Sequence, residues 1–286
     1  IVHEDGGNMR IKSSVPSIGA VSFILQQKGF VFDVNTFKVL RQTIPDYTRF
    51  RWGAVFKKSD NIVSDENIFV PWKNPSDNWK FDNSIAPIFV EHARKHIPDY
   101  DRVIDLSIDV CLDKFQTQDI KIIDVGCATG ETINRFYNKG FSMLFGVDNS
   151  PTMLEQCDKD KATYILSETF PKTYGKFNVV LCNWTLHFIE DKLKYLNDVF
   201  ASMENDGVLI ITDKTKNDGL DLSLYHRFKM SVGVSRGEIQ NKAQSVKQIM
   251  HINDCIWYIN KLNDLGFKSV SIINATPCFT TFVAIK

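Results

Sequence analysis

The chain predicts an α/β fold: a doubly wound, seven-stranded, mostly parallel sheet closed by a C-terminal antiparallel hairpin, with an N-terminal extension. Three observations predict it. Short apolar runs alternate with helical patterns from residue 121 to residue 212. A glycine-bearing turn joins the first of those runs to the first helix. Two further apolar runs lie close together at the end of the chain.

The runs at 121–125, 143–147, 162–166, 177–182 and 207–212 have strand length and little internal polarity. Such runs suit strands covered on both faces, and the intervening helical patterns suit crossovers between parallel neighbours. Helices are predicted over 132–138, from Pro151 onward, and over 193–203. Residues 214–250 carry helical and polar segments without a strong strand. An amphipathic helix is expected over 252–265, stopped by Gly266. The runs 269–274 and 280–285, with a proline turn between them, read as an antiparallel pair.

Turn-rich composition at 59–84, with Pro71 and Pro75, marks a boundary. Residues 1–75 are read as an extension with a role in shaping the substrate site, and 76–286 as the main domain.

Bulk composition narrows the function classes. The chain has 286 residues, with 34 basic and 34 acidic side chains. A neutral chain gives no whole-protein support for a nucleic-acid partner. No run approaches the length of a membrane span, and Ile1–Asn8 has neither the basic nor the apolar region of a secretory leader. The six cysteines form no CxxC pair and no zinc-like spacing, so no metal is expected. They read as reduced thiols of a cytoplasmic protein.

The chemistry starts at Asp124-Val-Gly126-Cys127-Ala128-Thr-Gly130, between a strand and a helix. Glycines there permit close backbone approach and leave helix N–H groups facing a ligand. Alone, the loop reads equally as a tight turn. Asp148, 18 residues after Gly130 and at the next strand end, adds a carboxylate that can accept from both ribose hydroxyls of a nucleoside. Capping of the next helix is assigned instead to Ser150, before Pro151. A third strand end carries Asn183, followed by His187.

The glycine spacing is not Gly-x-Gly-x-x-Gly, and the terminal hairpin is not a dehydrogenase ending. Together these features resemble the class I S-adenosylmethionine-dependent methyltransferases. The resemblance implies S-adenosyl-L-methionine as cofactor, with the glycine loop at its amino-acid end and Asp148 on its ribose. Further segments resemble the carboxy-S-adenosylmethionine synthase family: Trp79-Lys-Phe-Asp82, Ile85-Ala-Pro-Ile-Phe89, Ile97-Pro-Asp-Tyr100, Asp148 through Met153, Asn183 through Phe188, and Phe228-Lys-Met. This resemblance covers about residues 78–286. That family uses S-adenosylmethionine and prephenate to make a carboxylated cofactor for wobble-uridine modification of tRNA.

Carried over by position, the resemblance implies Tyr100, Gly126, Asp148, Asn149 and Asn183 around the cofactor. The turn itself adds Asp124, Cys127, Ala128 and Gly130. The family's carboxylate-gripping arginine falls at Ala243 here, with Lys242 adjacent and Arg236 nearby. Alanine cannot make the two parallel hydrogen bonds of a guanidinium. Ordinary methyl transfer to a small molecule is therefore expected, with Arg236 and Lys242 as candidate substrate contacts. His187 and His226 are the candidate bases, His187 reading more readily as a polar first-turn position.

Segment 38–58 interleaves basic and aromatic residues, a pattern that can bind a nucleic-acid strand. The alternation from Phe50 to Phe56 equally fits an amphipathic strand, and covering the active site is a third use. The competing functions are a carboxylated-cofactor synthase, an RNA methyltransferase using that extension, and a cofactor-binding protein without catalysis. An oligomer is compatible with all of them.

Overall fold

A computed structural model of the protein describes residues 2–5, 8–11, 30–44, 47–58, 85–216, 219–247 and 249–286. The chain forms two compact units, Ile1–Trp72 and Lys73–Lys286. The predicted boundary near residue 75 and the segment Trp79–Asp82 lie outside the described residues.

The first unit contains a four-stranded sheet of β1 (Val2–Asp5), β2 (Asn8–Ile11), β3 (Phe30–Ile44) and β4 (Tyr47–Lys58). Its order is β1-β2-β4-β3, and every pairing is antiparallel. The alternating stretch from Phe50 to Phe56 lies within β4, where Arg51 is opposite Leu40 and Phe50 is opposite Arg41.

The second unit opens with α1 (Phe89–His96) and α2 (Tyr100–Lys114). There follow β5 (Ile122–Val125), α3 (Glu131–Asn138), β6 (Leu144–Asp148), α4 (Pro151–Glu155) and β7 (Thr163–Leu166). After these come β8 (Phe177–Asn183), α5 (Lys192–Ala201) and β9 (Met203–Lys214). Helices α6 (Gly219–Ser231), α7 (Arg236–Val246) and α8 (Cys255–Leu265) precede β10 (Ser269–Thr276) and β11 (Phe279–Ile285).

The sheet order is β10-β11-β9-β8-β5-β6-β7. The five strands β5 to β9 run parallel, and β11 and β10 join antiparallel to β9. The seven-stranded, mostly parallel sheet expected from the sequence is thus observed. The hairpin does not simply extend the sheet in chain order: its last strand, β11, inserts beside β9.

Strand periodicity builds the two cores. Ile123, Val125, Val180, Cys182, Leu209 and Ile211 point to one face, where α5 and α8 supply Leu196, Val199, Tyr258 and Leu262. Their neighbours Ile122, Val179, Leu181, Val208 and Ile210 point to the other, against Ile104 and Ile108 of α2 and Phe136 of α3. Each such side chain stabilises the fold by roughly 1.5–3 kcal/mol on burial. This two-sided demand explains why the parallel strands read as continuous apolar runs rather than alternating ones.

Boundaries shift where caps act. Helix α8 begins at Cys255 rather than 252 because the Asp254 carboxylate accepts from Trp257 N–H at 2.7 Å. Ser150 caps α4 as expected, accepting from Met153 N–H at 3.3 Å. Gly266 ends α8 in the left-handed region at φ 98°. Helices α6 and α7 lie within the segment expected to be helical and polar. The six cysteines form no disulfide, and no helix among the described residues is long and apolar enough to cross a membrane.

Candidate active site

Strand β5 is flanked by β6 on one side and β8 on the other. The chain leaves β5 outward through β6 and β7, then returns to the opposite side. The crevice at such a reversal, beyond the strand carboxyl ends, is where open α/β sheets take ligands. A cavity of about 760 Å³ lies there.

The glycine turn forms its floor. Gly126 N–H donates to Val147 O at 2.7 Å and Cys127 N–H to the same oxygen at 3.1 Å, pinning the turn to β6. Gly126 has φ +69°, and a Cβ there would sit 2.3 Å from Thr185 Oγ1. That hydroxyl is fixed by donating to Val125 O at 2.7 Å. Gly130 has φ +81° and faces Tyr164 Oη and Cys157 Sγ. Both glycines are therefore required by backbone hand and by protein neighbours, as the tight-turn reading of the loop has it, beside the close ligand approach that the sequence also allowed.

Asp148 ends β6. Its Oδ2 accepts from Ala128 N–H at 2.9 Å and its Oδ1 from Ser150 N–H at 2.8 Å. Both oxygens keep lone pairs for further donors. Burial pushes this carboxyl above its ordinary range, while the backbone N–H bonds pull it down. Asp124, fully enclosed beneath the turn, is held well above the usual carboxylate range by burial and then by Asp148; the Thr132 hydroxyl opposes this.

Asn183 ends β8 with 5% exposure, and neither its Oδ1 nor its Nδ2 has a hydrogen-bond partner among the described residues. A buried amide without partners costs about 1–3 kcal/mol. This one lines the cavity, where a ligand's amino or carboxylate group would satisfy it. Tyr100 also lines the cavity, stacked on Trp184 at 4.6 Å between centroids.

The cavity brings together Tyr100, Asp124, Gly126, Cys127, Ala128, Asp148, Asn149 and Asn183. Gly130 does not line it. The sequence reading missed Glu168, which follows β7 and lines the same cavity, although the strand-end rule that found Asp148 applies equally there. It also missed Trp184.

A second cavity of about 140 Å³ adjoins the first, and Phe89, Ile97, Trp184 and Phe188 line both. His187, His226, Lys242 and Ala243 line the second cavity. Arg236 stands exposed in the first turn of α7 and lines neither.

The two candidate histidines differ in their surroundings. His187 is 3% exposed, and its Nδ1 meets Asp213 Oδ1. Its own backbone N–H donates to that oxygen at 3.1 Å, and Tyr258 Oη donates to Oδ2. An imidazole whose Nδ1–H donates to a carboxylate keeps Nε2 as an acceptor. His226 is held below its ordinary pKa by burial and by Lys229 and Lys214.

A methyltransferase-domain family model matches residues 89–263. The chain is 26% identical to the carboxy-S-adenosyl-L-methionine synthase of Nautilia profundicola over 222 residues, covering 73% of this chain and 94% of that protein. The Shewanella pealeana synthase is 26% identical over 242 residues, covering 78% of this chain and 99% of that protein. Among solved structures, the plantazolicin methyltransferase BamL with SAH and a desmethylPZN analog aligns with TM-score 0.56 at 13% identity, covering 70% of this chain and 90% of that one. The magnesium protoporphyrin IX methyltransferase of Synechocystis PCC 6803 with bound SAH aligns with TM-score 0.50 at 14% identity, covering 69% and 87%. The chain therefore belongs to the methyltransferase-domain family, as an enzyme whose cofactor is S-adenosylmethionine.

Proposed function

We propose that the protein transfers the plain methyl group of S-adenosylmethionine to a small molecule seated in the second cavity. The observation that carries this reading is the pair of adjoining cavities, one large and edged by Asp148 and Asn183, the other small and sharing Trp184 with it. In this reading Asp148 accepts from the ribose hydroxyls. Asn183, beside the glycine turn, holds the amino-acid end. Glu168, one strand further out, faces the base.

The bound sulfonium supplies an already activated methyl group. The protein's task is alignment and exclusion of water. Trp184, Phe89 and Phe188 line both cavities, and Tyr100 stacks on Trp184 from the larger one. Where the acceptor atom carries a proton, His187 Nε2 takes it, with Asp213 holding the ring.

A carboxylated cofactor is the second reading, favoured by the similarity to the synthases. Against it, Ala243 lines the second cavity at the position where the resemblance expects an arginine.

Incubation with methyl-tritiated cofactor and a deproteinised cell extract tests the reading. Label is expected in the small-molecule fraction. Its appearance only in RNA or protein, or no transfer at all, contradicts it. His187→Gln should cut transfer by about 10²-fold; unchanged transfer removes the base role.

A further inference from the structure

The second cavity has an unusual charge. Lys214 from the end of β9, Lys229 from α6 and Lys242 from α7 all line it, and no Asp or Glu does among the described residues. Lys229 is 4% exposed. Its Nζ lies 4.0 Å from the centroid of the Tyr225 ring, and Lys214 Nζ lies 5.3 Å from the same centroid. Neither lysine pairs with a carboxylate among the described residues. Lys242 Nζ is 3.3 Å from His92 Nε2.

Burial and mutual repulsion act on all of these groups. Burial first, then Lys214, pulls Lys229 down to about 7. Burial first, then Lys229 and Lys214, pulls Lys242 down to about 6. His92 is drawn to about 3, chiefly by burial and then by His96, Lys242 and Lys229; His96 is drawn to about 4, chiefly by burial, with Lys229 and Lys242 adding to it. Burying the Lys229 ammonium beside Lys214 is costly, because buried charges are normally paired. The Tyr225 ring face offers only part of the compensation, and its hydroxyl is committed to His96 O at 2.7 Å.

The apolar side of the cavity completes the description. Phe89, Trp184 and Phe188 line both cavities, and the lysines line only the smaller one. We infer that the methyl acceptor is a small organic anion, its carboxylate or phosphate head seated among Lys214, Lys229 and Lys242 and its apolar body against Phe89, Trp184 and Phe188. This rests on the methyltransferase reading above and names the substrate class of the same site. It also accounts for the lysines as acceptor ligands rather than as substitutes for the arginine missing at Ala243.

Calorimetric titration of the protein saturated with S-adenosylhomocysteine tests the inference, with benzoate, phenyl phosphate and the neutral isostere benzamide as probes. At least one anion should bind about tenfold or more tightly than benzamide, and the preferred probe tells carboxylate from phosphate. Lys229→Met and Lys214→Met should each remove that preference while leaving S-adenosylhomocysteine binding within about twofold, which also shows that the variants are folded. Anion binding no tighter than benzamide binding, no binding of either anion, or a preference that survives both substitutions overturns the inference. Failure of S-adenosylhomocysteine itself to bind overturns the cofactor reading instead, so the two failures are distinguishable.

Discussion

Asp148→Ala is expected to weaken S-adenosylhomocysteine binding by about a hundredfold or more. Two hydroxyl donors to one carboxylate each contribute roughly 1.5–3 kcal/mol, and every 1.4 kcal/mol is tenfold in affinity. The substitution has a second effect within the protein. Ala128 N–H and Ser150 N–H both donate to this side chain, so its loss loosens the turn that forms the cavity floor. Asp148→Asn separates the two effects, because an amide keeps one oxygen for the backbone and loses the charge. It should bind more weakly than the native protein and more tightly than the alanine variant. Isothermal titration of all three proteins checks this. Native affinity in Asp148→Ala would remove the ribose assignment.

Asp213→Ala is the substitution expected to cost most stability. The residue is fully buried and accepts from His187 N–H, His187 Nδ1 and Tyr258 Oη. It thereby ties the segment after β8 to β9 and to α8. Removing one partner from a buried, hydrogen-bonded charge typically costs about 3–5 kcal/mol, because the remaining polar groups are left unpaired. For a domain of this size that corresponds to a fall in melting temperature of about 10 °C. Asp213→Asn retains acceptor capacity and should lose less. Thermal denaturation followed by circular dichroism reads the difference. A shift of only one or two degrees in the alanine variant would show that the His187–Asp213–Tyr258 cluster contributes little to holding the sheet.

Much of the fold was legible because the strong signals were local. The runs around Ile123, Val180 and Ile210 are apolar on both faces, so their burial and parallel neighbours follow from residue type. The hairpin between 269 and 285 was readable from two runs and a turn. The insertion of β11 beside β9 was not, because strand order depends on contacts between segments far apart in sequence. It is fixed by pairs such as Phe282 with Ile211.

The site divides in the same way. Asp148 and Asn183 could be found because each ends a recognisable strand. Lys214, Lys229 and Lys242 lie on three different elements, and only tertiary packing gathers them around one cavity. Lys214 does end β9, and the strand-end rule would have reached it. Lys229 sits in a helix whose amphipathic pattern is weak, and nothing local marks it as buried. Arg236 shows the reverse failure: a basic residue in a suggestive segment that packing leaves exposed beside the capping box of Ser235 and Glu238. Likewise, the reason for Gly126 lay in Thr185, 59 residues away in the chain.

The central claim is that the cavity edged by Gly126, Asp148 and Asn183 holds the plain cofactor. The most direct measurement is the mass of the nucleoside bound by the protein when S-adenosylmethionine and its carboxylated derivative are offered together in equal amounts and the complex is recovered by gel filtration. Recovery of S-adenosylmethionine or S-adenosylhomocysteine is the expected result. Recovery of a species heavier by one carboxyl group, or of neither nucleoside, would contradict the account.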